Sequence, residues 1–567
     1  MKRIFAIVGI LTLAALFIGG MTFEDKFTIK MYQWAGLDSD EPFSLDMLKP
    51  NDMWNMEVGN EGGKTYIQQR RGMRRILNNI TARPINTKAV FICQINGDSE
   101  RVITYGNQNV YRATADEQWV NMTPAGTASD TAVGMILFKD TLIVPIGDTV
   151  YIFAVPDTGT SGLANVRRDV AENYNGILLH QDRVYRWGTN KENNTEITWM
   201  PEFDIYFKTS HFDSMVALGT AGSAFIDRDE GDFLTNVLSH GEHIMAYKSR
   251  SIYKILVSPT ANKPVEIIRF AENVGAYGYG AVVAYNNSHY FVAEDGVYEN
   301  NGASVQKISD AIDYWFTDSL THSRGTAVIF KIEAFDKKLF VTLPKRSADG
   351  NESNVDGYRT FVYEFDTGVW AKFRLSPHDG AHTEGGSGGQ EQHWMLRYER
   401  NPFCGTPLTG TQYLKQRLIV VRDSTEANTS AGQVDRHWIY PDDRYYSDGG
   451  DTLTDGTYGA SSYTTALTPL TNMWTRKEIE RVIIYGEARV GAADSAKGNV
   501  LYLNNEDGVI DSILFTITSS PFFINKRFST VAAGDMIGIK LEIRDTNHVK
   551  INALELVGME KGMGDED

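Results

Sequence analysis

Short apolar runs of about five residues, separated by polar or glycine-containing turns, recur along most of the chain, the pattern of antiparallel hairpins. It is clearest in GEHIMAYKSRSIYKI (241–255) and AYNNSHYFVAEDGVYENNGASVQKI (284–308), where an apolar run and a turn lead to a second run centred on tyrosine. FKDTLIVPIGDTVYIF (138–153), NGILLHQDRVYRW (175–187) and RTFVYEFDTGVWAKF (359–373) repeat the unit. Such units run from Ala89 onward, and closing them around an axis would remove exposed strand edges. The pattern therefore predicts a β-propeller-like domain over residues 89–450, with a helix-like stretch at Ser309–Asp318.

The two ends differ from this body. Residues 21–88 read as an N-terminal arm, with a strand near Phe27–Tyr32, a short helical turn after Pro50 and a strand pair around Glu57 and Gly62-Gly63. Glycine and serine rise at 379–391, a loop, and at 448–462, a linker. Beyond it, ERVIIYGEARV, NVLYLNNED, SILFTIT, FFINKRFS, MIGIKLEIRD and INALELVGM alternate with period two, which predicts a C-terminal antiparallel β-sandwich over 463–567. The expected fold class is mainly β.

Composition agrees: 27 Tyr, 27 Phe and 51 Gly in 567 residues suit many short strands joined by tight turns. A formal net charge of −17 disfavours a general nucleic-acid-binding surface. Only Cys93 and Cys404 are present, which excludes a disulfide framework or a thiolate cluster and reads as two buried thiols. Residues 1–20, MKRIFAIVGILTLAALFIGG, form an apolar leader behind a basic start. Three readings of it stay open: an export signal, an upstream extension ahead of a start at Met21, and a retained membrane anchor or buried N-terminal element.

The chemistry on offer is sparse. Asp227, Asp229 and Asp232, in the acidic run 227–232, are weak calcium candidates without the closing glutamate of a helix-loop-helix site. His240 and His243 sit at a turn-to-strand boundary, where spacing implies no zinc geometry. Asp204, Asp295 and Asp366 could supply a glycosidase pair, yet Asp295-Gly296 and Asp366-Thr367-Gly368 read as hairpin turns. HExxH, GxxxxGK and GxGxxG motifs are missing. The chain reads as non-enzymatic, with no cofactor. Arg70, Arg71, Arg74 and Arg75 form a basic patch that could anchor the arm on an acidic neighbour.

The stretch Leu45–Met56, followed by Gly62-Gly63 and Gln69–Arg74, resembles the opening of tail-associated structural proteins of short-tailed bacteriophages and prophages. Tyr174–Gly176 with Asp182–Tyr185, Ala246–Ile255, Gly275–Gly278 and Ala293–Tyr298 are similar to the same group, over about residues 40–320. The resemblance implies a propeller-containing structural subunit of the virion: a homo-oligomeric ring in the tail or head-to-tail connector, lining or stabilising the DNA channel beside other tail proteins. DNA would pass an acidic lining without sequence-specific binding, and membrane contact would be confined to residues 1–20. The apolar leader departs from that group. The competing expectation is a secreted β-propeller glycoside hydrolase or carbohydrate-binding protein, secreted or anchored through the leader.

Overall fold

The computed structural model describes residues between Asp25 and Gly562 with interruptions, most continuously over 174–188, 195–228, 232–257, 265–278 and 280–318. Residues 1–20, the 379–391 loop, Arg71, Asp229 and Cys404 lie outside the described residues, as does the side chain of Cys93. The chain divides into two compact units, Arg71–Thr457 and the pair of segments Met1–Arg70 with Tyr458–Asp567.

In the first of these units, hairpins form where the apolar periodicity places them. The strands Leu234–His240, His243–Lys248, Ser251–Val257 and Val265–Glu272 pair in chain order as one antiparallel sheet. Val282–Tyr285, Ser288–Ala293, Gly296–Asn300 and Val305–Lys307 make the next. Two-residue turns dictate this local pairing. Gln181-Asp182, Asn286-Asn287 and Asp336-Lys337 all take positive φ at both positions, the twist that lets a tight turn join right-twisted strands. Asp, Asn and Gly carry such conformations at least cost, and Asn286-Asn287 is where Tyr285 and Ser288 come face to face.

The β-propeller-like body expected for 89–450 is corrected by this topology. The described strands form separate antiparallel sheets, six of them four-stranded, and no sheet among the described residues is closed or curled into a propeller. The physical reason lies in what the repeat encodes. A tight turn with positive φ specifies the pairing of two chain-adjacent strands and nothing beyond them, so the periodicity is satisfied by open meanders in succession. Successive sheets meet through their first strands, as Gly176–His180 meets Leu234–His240, and that strand meets Val282–Tyr285. Helix is scarce: Asp310–Ile312 and Asp313–Asp318 occupy the predicted 309–318 stretch, and Thr209–Ala217 lies inside a long connection that periodicity had left without an element.

The other unit combines both ends of the chain. Asp25–Met31 pairs along His548–Gly562, and the hairpin Met56–Glu61 with Lys64–Gln69 joins the same sheet. Pro50–Trp54 is a strand paired with Ser461–Thr465, where a helical turn was expected. The residues read as an arm up to Arg70 and those read as a C-terminal domain thus supply strands to common sheets. The six period-two stretches all form strands, from Thr475–Arg489 to His548–Gly562. Two separate sheets result in this unit, linked by side chains: Tyr502 Oη donates to the Lys477 carbonyl at 3.3 Å, and Trp34 meets Tyr463 edge-on. No long helix makes an arm among the described residues.

Candidate functional site

A connected polar arrangement in the 71–457 unit lies where three successive sheets meet, and it is built from histidines far apart in sequence. His289, on Ser288–Ala293, is 1 % exposed. Its Nε2 faces the Ser239 carbonyl at 2.9 Å and must donate, because a carbonyl can only accept. Its Nδ1 therefore carries a lone pair, which accepts the Tyr247 hydroxyl at 2.9 Å. Tyr247 in turn accepts Asn300 Nδ2 at 2.9 Å, and Asn300 Oδ1 accepts the Gly302 N–H at 2.9 Å. Every member has a partner, and the order of donors fixes the neutral Nε2–H tautomer of His289.

Neighbouring rings complete the joint. His240 stands edge-on to His289 with ring centroids 5.0 Å apart, and His180 Nδ1 lies 3.0 Å from Ser239 Oγ, tying Gly176–His180 to the next sheet. Burial holds His289 down to about 4, and the neighbouring His240 acts in the same direction against the Ser239 bond. Burial lowers His180 and His243 as well, with Lys254 adding to the effect at His243. Burial pushes the Tyr247 phenol up, against the Asn300 hydrogen bond. Each of these shifts moves its group further from neutrality.

A cleft of about 220 Å³ opens at the turn end of the same two sheets, between Ser249-Arg250, Asn273–Gly275 and Ala293–Asp295. Small-molecule sites usually enclose roughly 300–1,000 Å³. Its polar groups are largely committed: Asp232 accepts Ser249 Oγ through one oxygen and the Arg250 N–H through the other, and Arg250 faces Glu294 at 4.0 Å.

The residues singled out from the sequence fall as follows. Asp227 accepts Arg269 Nη2 at 2.8 Å and the Tyr253 hydroxyl at 3.0 Å, and the Arg269 hydrogen bond is the main reason its carboxyl lies below the usual range. Asp227 thus grips two strands and Asp232 the 249–250 turn, and no group of three or more metal-binding side chains occurs among the described residues. Asp204 accepts His211 Nε2 at 2.6 Å and the Tyr206 N–H at 2.8 Å. Asp295 accepts the Tyr298 hydroxyl, and Asp366 pairs with Lys337. The turn residues proper are Glu294-Asp295, since Ala293 pairs with Gly296. Gly296 has a packing reason instead: a Cβ there would stand 2.5 Å from both Lys307 Cε and Ser309 Oγ. Arg70 is buried at 3 % exposure, and Arg74 and Arg75 lie on Gly72–Ile76, paired with Val434–Asp442. His240 and His243 face each other across the Gly241-Glu242 turn. Sequence reading considered His240 and His243 alone, and only the abutting of three sheets brings His180, His240 and His289 into one joint.

No family model and no curated protein matches the chain. Solved structures that it is similar to include virginiamycin B lyase from Staphylococcus aureus, at 7 % identity and TM-score 0.35 over 57 % of this chain and 89 % of that one. The AfRom2 CNH domain follows at 8 % and 0.35 over 64 % and 98 %, and Kluyveromyces lactis Hsv2 at 13 % and 0.29 over 56 % and 93 %. Likenesses at these scores carry no argument about this chain. The expected subunit of a phage tail or connector ring is corrected here: the described strands form separate antiparallel sheets, which provide no ring or pore for DNA to pass. The alternative of a β-propeller glycoside hydrolase or carbohydrate-binding protein falls with the propeller.

Proposed function

We propose that the chain is a non-catalytic scaffold that associates with copies of itself. The supporting observation is the fate of seven chemically capable side chains among the described residues. His289, Tyr247, Asn300, Asp204, Asp227, Asp232 and Asp295 each end on a partner within the same unit, where they fasten sheets or turns. General acid–base catalysis needs a lone pair or proton directed at a substrate, and these groups have theirs directed at the protein. Apolar side chains remain outward instead, among them Phe203, Tyr206, Leu218, Leu514 and Phe523.

Native mass measurement of the purified chain over a concentration series, run beside a glycan-hydrolysis assay, tests this reading. Complexes of identical subunits without turnover are expected. A chain that stays monomeric, or turnover abolished by Asp204→Asn or Asp295→Asn, overturns it.

A further inference from the structure

Asn300 is fully buried at the end of the histidine chain, and its Oδ1 accepts the Gly302 N–H at 2.9 Å. Between these two residues stands Asn301, exposed at the head of the 301–304 turn that joins Gly296–Asn300 to Val305–Lys307. Asparagine followed by glycine is the pair whose side-chain amide is most open to attack by the next backbone nitrogen, because glycine has no Cβ to hinder the approach. The chain contains three such pairs, at 96, 175 and 301. Asn96-Gly97 lies outside the described residues. Asn175 is packed, since a Cβ on Gly188 would stand 2.4 Å from its Nδ2, and Gly176 is buried in a strand opposite Trp187. Of the two described pairs, only Asn301 is exposed.

Both reacting groups at 301–302 are held. Asn301 Oδ1 accepts the Ala303 and Ser304 N–H groups, each at 2.9 Å, which fixes the side chain across the turn. The Gly302 nitrogen must shed its proton to attack, and that proton is engaged by Asn300. The pair is also hard to replace. Gly302 takes a φ of +81°, and a Cβ on it would stand 2.4 Å from His240 Cε1, while Asn301 supplies the acceptor for two turn N–H groups. The fit of the joint therefore demands the very pair that is chemically labile.

We propose that Asn301-Gly302 is a self-modification site, held shut by Asn300 and the turn while the histidine joint is closed. When the joint opens, the Gly302 nitrogen loses its proton to solvent and attacks Asn301 Cγ. A C–N bond forms, the Cγ–Nδ2 bond breaks, and ammonia leaves with a proton taken from solvent. Water then adds to one carbonyl of the succinimide ring and one ring C–N bond breaks, leaving aspartate or isoaspartate. Water is the only co-reactant, and nothing is oxidised or reduced. Isoaspartate inserts a methylene into the main chain directly before Gly302, so the seat against His240 is not regained and the opening leaves a permanent mark.

Peptide mass mapping of the full chain, incubated at mildly alkaline pH, reads amide-to-acid conversion at 301, with Asn175 in the same digest reporting the state of the whole unit. The wild type is compared folded and in urea, beside Asn300→Ala, which removes the Gly302 acceptor, and Tyr247→Phe, which loosens the joint but leaves that acceptor in place. Conversion at 301 is expected on the order of tenfold slower in the folded wild type than in urea, as for a reaction gated by local opening. Asn300→Ala should restore most of the lost rate at 301 without raising it at 175, and Tyr247→Phe should stay nearer the wild type. Equal rates folded and unfolded, no effect of Asn300→Ala, or equal acceleration at 301 by both variants overturns the proposal. If Asn300→Ala does not fold, amide exchange at Gly302 in the wild type decides: protection supports the lock, and exchange at the unstructured rate overturns it.

Discussion

His289 shows how a single residue makes the sheet joint depend on acidity. Its Nε2 proton and Nδ1 lone pair are both in use, so a second proton would break the Tyr247 hydroxyl bond as well as place a charge in a buried site. Burial holds it near 4 in the folded chain, against about 6.5 when unfolded. The unfolded chain therefore takes up the proton first as pH falls. The stability contributed by the neutral ring is complete above about pH 6.5, declines as pH drops towards 4, and stays lost below it. A shift of this size amounts to about 3 kcal/mol. His180 and His243 are lowered too and add in the same direction. Urea unfolding between pH 7 and 4 should show this decline, and His289→Gln should flatten it; an unchanged slope would place the titration elsewhere.

Among the elements, the connection between two sheets carries the tightest fit. Gly275 lies against the Lys248–Ser251 turn, and a Cβ there would stand 2.1 Å from the Lys248 carbonyl oxygen and 2.8 Å from the Ser251 nitrogen. Both are backbone atoms that cannot swing aside. Asn236 grips the same connection, donating to the Gly278 carbonyl and accepting the Gly280 N–H. Gly275→Ala is expected to cost about 1–3 kcal/mol of overpacking, read by urea unfolding; an unchanged midpoint would show that the connection yields. At this scale the sequence was most legible. Asn286-Asn287 between two apolar runs announces a hairpin because few residues adopt positive φ, and the local rule needs no knowledge of the rest of the chain. Two things stayed hidden for the opposite reason. Pro50–Trp54 has a helix-like start but gains a strand partner more than 400 residues away, and the histidine joint depends on which sheets abut. The helix Thr209–Ala217 buries none of its residues, so it left no apolar period to find.

For the whole molecule, charge sets the conditions for association. With a net charge of −17, long-range repulsion between copies should dominate at low ionic strength. The screening length falls from about 30 Å at 0.01 M salt to about 8 Å at 0.15 M. Association between copies should tighten several-fold across that range in sedimentation measurements, and weakening on added salt would point to ion pairs between copies instead. The pairing of the two ends of the chain has a consequence in time. Gln69 Oε1 accepts the Val549 N–H across 480 residues, and the Lys64–Gln69 strand has its sheet partner only in His548–Gly562 on that side. At roughly 5–20 residues per second on the ribosome, the early strands wait about 20–100 s for theirs. Through that interval the 71–457 unit can complete its local hairpins while the Asp25–Met31 and Lys64–Gln69 strands hold unpaired edges, which makes strands that are made early among the last to be secured.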